Sequence, residues 1–219
     1  MRASLTTLLM TAMLGLGACG GDDDESGATT TEAEEPCEEA SVPEPKQVEL
    51  DPPPTEPSAD SLTAVVDTSC GTFEIALDTD GNPKTAASFA YLAENGVYDT
   101  TLWHRIVPGF VIQGGDPQST GTGGPGYSVD EPPPADAAYT KGVVAMAKTE
   151  AEPPGRSGSQ FFVVSGADAG LPPQYAIVGE VTSGFDVVKT IEGFGDPQSG
   201  GTGTPLQPVL IDSVTIEEG

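Results

Sequence analysis

Short β-prone runs separated by loops rich in Gly and Pro occupy the chain from Leu62 onward. Residues 62–66 and 72–77 form the first two runs, and Ser69-Cys70-Gly71 between them suits a hairpin turn. Five more runs follow, at residues 105–112, 142–147, 160–164, 176–181 and 209–216. So many short strands predict a closed or nearly closed β-barrel.

Two helices are predicted between these strands. Asn82-Pro83 has the residue types of an N-cap and a first helical position, and the apolar residues that follow keep helical spacing up to Asn95-Gly96. Apolar residues at 185, 187, 188 and 191 indicate a second, shorter helix. We therefore expect a mainly β domain over residues 61–219, with two helices outside the barrel.

The segment at residues 19–60 has a different composition. Between Gly20 and Asp60 it carries fourteen Asp or Glu residues, one Lys and almost no large apolar side chain. Such a segment cannot bury enough surface to offset its chain entropy, so we predict a disordered, acidic, Pro-rich tether. The whole chain has 34 acidic and 8 basic residues, which argues against nucleic acid as a partner because phosphate binding needs clustered Lys and Arg.

Residues 1–18 have the pattern of a signal peptide. Arg2 precedes a mostly apolar run at residues 5–16, which is too short for a confident membrane span. The run ends in Leu16-Gly17-Ala18-Cys19, which resembles the bacterial lipobox, so we expect lipidation at Cys19 and an exported protein anchored to the membrane by its lipid. An ordinary secretory signal with an incidental Cys is the alternative.

The remaining reactive side chains leave few kinds of chemistry open. Export would allow Cys37 and Cys70 to form one disulfide, and two free thiols are the alternative. Neither Cys has a neighbour at metal-ligand spacing, and His104 is the only histidine. These facts argue against a zinc site and against a Ser-His-Asp mechanism. Because His104 and Arg105 alternate along a strand, we expect a structural role for His104.

One five-residue sequence occurs twice. Gly115-Asp116-Pro117-Gln118-Ser119 recurs at residues 195–199, and a Gly/Thr tract follows each copy. Neither copy carries the Lys that a phosphate-cradling loop requires. We interpret the copies as two surface loops of similar composition.

Several separated blocks together resemble the cyclophilin family. The blocks are Tyr98-Asp99, residues 103–116, Met146-Ala147, residues 158–162, residues 176–179 and residues 208–216. The resemblance implies a closed, antiparallel, eight-stranded β-barrel with two capping helices. It also implies a peptidyl-prolyl cis/trans isomerase that acts on proline-containing polypeptides without a metal or other cofactor, and we expect a monomer.

The resemblance also assigns roles to residues. Arg105, Phe110 and Gln113 would form the catalytic set. The substrate-binding residues would be Val111, Ala147, Lys148, Gln160, Phe162, Leu171 and Tyr175, with Ala147 and Lys148 pairing with the substrate backbone as an added strand. Without the resemblance, a surface ion pair would be the favoured interpretation of Arg105, and Phe110 and Phe162 could belong to the barrel core.

The rim of the predicted site departs from the family pattern. Gly170 replaces a frequent Trp at the cyclosporin-binding edge, so we expect weak cyclosporin binding. Tyr175 replaces a His, Val111 a Met and Lys148 an Asn, and the loop at residues 149–156 is longer than usual. These changes motivate an alternative function, a proline-peptide binding or chaperone module on the cell surface without catalysis.

Overall fold

The computed structural model describes residues 37–219, which form a mainly β domain with two helices. The helices are α1 (Pro83–Glu94) and α2 (Phe185–Glu192). The strands are β1 (Leu62–Thr68), β2 (Gly71–Leu77), β3 (Thr101–Leu102), β4 (Arg105–Val107), β5 (Val111–Gly114), β6 (Val129–Asp130), β7 (Val143–Met146), β8 (Arg156–Ser157), β9 (Phe161–Val164), β10 (Ile177–Ser183) and β11 (Leu210–Glu218). Within this part of the chain, neither helix has the length and apolar character needed to cross a bilayer.

Nine of these strands form one curled antiparallel sheet. Their order is β3-β11-β1-β2-β10-β7-β9-β5-β4, and β6 and β8 pair separately. A single bridge between Leu102 and Asp116 connects β3 at one edge to the chain just after β5. The expected antiparallel architecture with two helices is confirmed. The sheet has nine strands rather than eight because residues 101–107 form two short strands, β3 and β4.

Aromatic side chains fill the interior of the curled sheet. Phe161 is completely buried and makes edge-to-face contacts with Phe89 of α1 at 5.2 Å, with Tyr98 at 5.3 Å and with Trp103 at 5.5 Å between ring centroids. Edge-to-face pairs of this kind add stability beyond the area they bury. They fix α1 and the inner face of β9 against each other.

The N-terminus of α1 is capped from a distant part of the chain. Asn82 lies at the predicted N-cap position, but its side chain donates to Asp78 instead of capping the helix. The carboxylate of Glu131 accepts hydrogen bonds from the backbone N–H groups of Lys84 and Thr85. It thereby satisfies N–H groups that have no partner inside the helix.

The single strand predicted at residues 105–112 is wrong, because the chain reverses within it. β4 ends at Val107 and β5 begins at Val111, and Gly109 adopts a φ of +75° in the turn between them. This is a left-handed conformation that suits Gly, and the preceding Pro108 has no N–H for a sheet. The reversal pairs Arg105 with Gln113 across the two strands.

Residues 37–60 contain no helix or strand, yet they are not the disordered tether that we predicted up to residue 60. Cys37 is joined to Cys70 by a disulfide, and the backbone N–H groups of Lys46 and Leu50 donate to the carbonyls of Pro117 and Pro125. Composition does not reveal these few fixed contacts. We call residues 37–50 the strap. Residues 1–36, with the predicted signal peptide and Cys19, lie outside the described residues.

Lys46 binds the strap to the residues that follow α1. Its ammonium group donates to the carbonyl oxygens of Gly96 at 3.0 Å, Val97 at 3.3 Å and Asp99 at 2.5 Å. Burial lowers the pKa of Lys46 from its ordinary value, and the Asp99 carboxylate partly opposes that shift. Three carbonyl acceptors replace the water that the ammonium loses.

We predict that Lys46→Met lowers the free energy of unfolding by about 1–3 kcal/mol, because three carbonyls lose a charged donor. Urea unfolding of the whole chain measures this change. Lys84→Met is the matched control, since Lys84 is exposed on α1 and its replacement should change stability by less than about 0.5 kcal/mol. Equal effects of the two substitutions would contradict an anchoring role for Lys46.

Candidate active site

Strand register brings the predicted site residues onto one face of the sheet. Arg105 of β4 is the partner of Gln113 of β5, Gln113 is the partner of Phe162 of β9, and Phe162 is the partner of Ala145 of β7. Direct cross-strand partners point to the same side of a sheet. This row therefore crosses four strands on the face opposite the main core.

A second apolar cluster lies on this face. Its buried members are Val111, Tyr139, Ala145, Phe162 and Val164, and Phe110, Leu171 and Tyr175 pack against them at the surface. Consecutive side chains of β9 point to opposite faces of the sheet, so Phe161 belongs to the main core and Phe162 to this cluster. The structure thus places Phe110 and Phe162 at the surface cluster and not in the barrel core.

The cluster forms the floor of an open groove of about 270 Å³. The groove is lined by Arg105, Phe110, Val111, Gln113, Ala147, Lys148, Phe162, Leu171 and Tyr175. These are nine of the ten predicted catalytic and substrate-binding residues. The tenth, Gln160, lines a neighbouring cleft of about 500 Å³ that shares Gln113, Ala147 and Lys148 with the groove.

Arg105 is held by neutral partners at the edge of the groove. Its Nε and Nη2 donate to the carbonyl oxygen of Gly201 at 3.1 and 3.0 Å, and its Nη1 donates to Oε1 of Gln113 at 3.3 Å. Its guanidinium carbon lies 5.7 Å from the centre of the Phe110 ring. Burial lowers the pKa of Arg105 from its ordinary value, and nearby Tyr175 raises it. Among residues 37–219, Arg105 forms no ion pair.

Two glutamines extend the hydrogen bonding away from Arg105. Nε2 of Gln113 donates to Oε1 of Gln160 at 3.2 Å, and Nε2 of Gln160 donates to the carbonyl of Gly123 at 3.0 Å. Each amide therefore accepts on one side and donates on the other, which fixes its orientation. The side chains of Arg105, Gln113 and Gln160 form what we call the polar chain.

Glu192 of α2 supports the turn that carries Phe110. Its buried carboxylate accepts from the backbone N–H of Gly109 at 2.7 Å and from the hydroxyl of Ser165 at 2.8 Å, and it also contacts Lys189. The sequence analysis missed this role. No local pattern signals it, because 83 residues separate Glu192 from Gly109 along the chain.

The rim near Lys148 is organised by backbone contacts. The N–H of Ala147 donates to the carbonyl of Gln160 at 2.8 Å and is therefore used within the protein. The ammonium of Lys148 donates to the carbonyls of Thr149 and Glu152 and lies 5.6 Å from the centre of the Tyr175 ring. The long loop at residues 149–156 is thus tied back to the rim by Lys148.

Comparisons of sequence agree with the fold. The family described as "Cyclophilin type peptidyl-prolyl cis-trans isomerase/CLD" matches residues 63–216. The probable peptidyl-prolyl cis-trans isomerase A of Mycobacterium leprae is 36% identical over 172 residues, which cover 71% of this chain and 92% of that protein. Peptidyl-prolyl cis-trans isomerase B of Streptomyces anulatus is 37% identical over 177 residues, covering 73% and 98%.

Solved structures give the same answer. The cyclophilin type peptidyl-prolyl cis-trans isomerase of Cryptosporidium parvum matches with a TM-score of 0.64 and 30% identity, over 73% of this chain and 99% of that chain. A second structure of that protein, in the presence of the dipeptide Ala-Pro, matches with a TM-score of 0.63. The present chain therefore belongs to the cyclophilin-type peptidyl-prolyl cis-trans isomerase family.

His104 lies next to Arg105 but does not line the groove, and its Nδ1 is buried without a hydrogen-bond partner among the described residues. Burial lowers the pKa of His104 from its ordinary value of 6.5, and the nearby Asp116 carboxylate partly opposes the shift. Below pH 6.5 the unfolded chain therefore binds a proton that the folded chain resists. The stability contributed by neutral His104 is present above that pH and is lost as the pH falls through the lowered pKa.

We predict that the free energy of unfolding of the wild-type chain decreases more between about pH 7.5 and about pH 5 than that of the variant His104→Asn. Urea unfolding of both proteins at the two pH values measures the difference, and the carboxylates common to both cancel. If the free energy of unfolding decreased equally in both proteins, the pKa of His104 would be the same in the folded and unfolded chains, and the prediction would be wrong.

Proposed function

We propose that this protein accelerates the isomerisation of X-Pro peptide bonds by donating a hydrogen bond from Arg105 to the prolyl nitrogen as the amide twists. Rotation breaks amide resonance against a barrier of about 18–20 kcal/mol. The twisted nitrogen becomes pyramidal, and its lone pair, which is delocalised into the carbonyl of the planar amide, becomes able to accept a hydrogen bond. A donor beside it binds the transition state more strongly than the ground state, which is how catalysis arises.

The contacts of Arg105 support this role. A guanidinium has five N–H donors, and Arg105 makes three hydrogen bonds to Gly201 and Gln113 among the described residues. Two N–H groups therefore remain beside an apolar floor that suits a proline ring. This pairing of an oriented cation with an apolar groove is the observation that carries the proposal, and the relative studied with Ala-Pro supports a proline-containing ligand.

The substrate backbone would pair mainly with Lys148. The Ala147 N–H is occupied by Gln160, so Ala147 can offer only its carbonyl to an added strand. The backbone N–H of Lys148 makes no hydrogen bond within residues 37–219. Main-chain pairing at Lys148 would bind the polypeptide with little dependence on its side chains.

We predict that Arg105→Ala lowers kcat/KM for cis/trans exchange in an Ala-Pro peptide by about 100-fold, because one preorganised transition-state donor is lost. Exchange spectroscopy or a conformer-specific cleavage assay measures the rate. Arg156→Ala is the matched control, since Arg156 forms an ion pair with Asp130 outside the groove, and its activity should equal that of the wild type.

Two other results would reject parts of the proposal. Equal activity of Arg105→Ala and the wild type would sink the assigned role of Arg105. Tight binding of the Ala-Pro peptide by the wild type with no acceleration of exchange would instead establish the alternative, a proline-peptide binding or chaperone module.

We also propose that the domain works outside the cytoplasm, anchored by a lipid at Cys19. The disulfide between Cys37 and Cys70 supports export, because such bonds persist in oxidising compartments. The apolar run at residues 5–16 followed by Leu16-Gly17-Ala18-Cys19 supports lipidation. The clients would then be exported, incompletely folded polypeptides.

We predict that the full chain, expressed in a bacterium that processes lipoproteins, partitions into the detergent phase and the membrane fraction. Cys19→Ala should move most of the protein to the aqueous phase, because the acyl chains supply the membrane affinity. Detergent-phase partitioning followed by immunoblotting measures this change. Identical partitioning of both proteins would reject lipidation at Cys19.

A further inference from the structure

The two loops that begin with the repeated five-residue sequence contact opposite ends of the polar chain. The Gly115 loop (residues 115–126) contributes the Gly123 carbonyl, which accepts from Gln160. The Gly195 loop (residues 195–204) contributes the Gly201 carbonyl, which accepts from Arg105. Both loops therefore have a specific contact with the site, beyond being surface loops of similar composition.

The Gly195 loop has internal structure of its own. Its neck is closed by a hydrogen bond from the N–H of Asp196 to the carbonyl of Thr204 at 3.1 Å. The hydroxyl of Ser199 donates to the Asp196 carbonyl at 2.7 Å, and the hydroxyl of Thr202 donates to the Ser199 carbonyl at 2.6 Å. Residues Gly200–Thr202 form a short 3-10 turn. These bonds hold the Gly201 carbonyl in a defined direction.

Gly203 brings this loop directly onto Arg105. Its φ is +67°, and an added Cβ would lie 2.7 Å from Cγ of Arg105 and 2.7 Å from Cγ2 of Val107. Its carbonyl also accepts from the N–H of Ile106 at 2.7 Å. The loop can approach the stem of Arg105 this closely only because residue 203 has no side chain.

We propose that the Gly195 loop is a positioning element for catalysis, in which the Gly201 carbonyl, held in contact by Gly203, fixes the plane of the Arg105 guanidinium. The inference rests on the proposed function of Arg105. One carbonyl accepts from both Nε and Nη2, so it defines the orientation of that edge of the guanidinium. Gln113 binds Nη1 on the other side of the guanidinium. The two remaining N–H groups of Arg105 therefore point in a fixed direction.

Orientation matters here because the arginine side chain is long. It has many free rotamers, and the loop restricts them before the substrate binds. A donor displaced by about 1 Å from a reacting atom loses much of its effect on the rate. No residue of the loop lines the groove, so the loop should affect the rate of the bound substrate more than its binding.

The test is the substitution Gly203→Ala in the whole chain. Its methyl group must push the loop away from Arg105, so we expect kcat to fall about 10-fold while KM changes by less than about two-fold. The 15Nε–Hε resonance of Arg105, assigned by its loss in Arg105→Lys, reports the contact directly. In Gly203→Ala this resonance should shift or broaden through faster exchange with water.

Gly142→Ala is the matched control. Gly142 also has a positive φ, +90°, but an added Cβ there comes no closer than 3.7 Å to its neighbours, Glu180 and Val181. Gly142 lies outside the Gly195 loop and does not line the groove, so the substitution introduces backbone strain without a collision with Arg105. We expect its kcat to stay within about two-fold of the wild type and its Arg105 resonance to stay unshifted.

A second variant covers the case in which Gly203→Ala does not fold. Ser199→Ala combined with Thr202→Val removes two surface hydrogen bonds of the loop and adds no bulk near Arg105. It should lower kcat about three-fold and shift the same resonance. A folded loop variant with a displaced resonance and wild-type kcat would overturn the positioning role. Wild-type activity of Arg105→Ala would instead overturn the proposed function.

Discussion

The register of the antiparallel sheet is the constraint on which the site depends. Phe161 and Phe162 are adjacent in β9, so one must face the main core and the other the groove. Slipping β9 by one residue would exchange them and would also separate Phe162 from its partners Gln113 and Ala145. The aromatic contacts of Phe161 oppose such a slip. The same packing that stabilises the fold therefore aligns the groove.

Loops complete what the sheet begins. The sheet places Arg105 and Gln113 side by side, and loops bind the two ends of the polar chain: the Gly201 carbonyl accepts from Arg105, and the Gly123 carbonyl accepts from Gln160. The Gly115 loop is supported in turn by its buried Asp116. Burial alone would raise the pKa of this carboxyl, but backbone N–H groups that bind its charged form lower it below its ordinary value. The strap then contacts the outer side of the same loop through Lys46 and Leu50. Contacts thus run continuously from the disulfide-linked segment to the groove.

Local patterns predicted those parts of the fold that local residues determine. The alternation in β2 and the helical spacing in α1 gave bounds close to those observed. The prediction failed at residues 105–112, where apolar residues on both sides of Pro108-Gly109 concealed a reversal. It also failed at residues 37–50, because a disulfide and one half-buried ammonium hold a segment that has few apolar side chains. The family resemblance supplied the groove residues, yet the partners Glu192 and Gly201 lie 83 and 96 residues from the groups they bind, beyond any local pattern.

Arg105 is bound by two neutral partners, Gly201 and Gln113, and this explains how its charge can remain available in so acidic a chain. The simplest way to orient a guanidinium is a bidentate carboxylate, and the chain has 34 acidic residues to supply one. A carboxylate would also be a stronger acceptor than a prolyl nitrogen and would neutralise the charge that should act on the substrate. The carbonyl of Gly201 and the amide of Gln113 give direction without a full negative charge. Arg105 is thereby oriented without being neutralised. In the proposed mechanism, its remaining N–H groups keep the strength of a charged donor for the prolyl nitrogen, which becomes a good acceptor only while the bond is twisted.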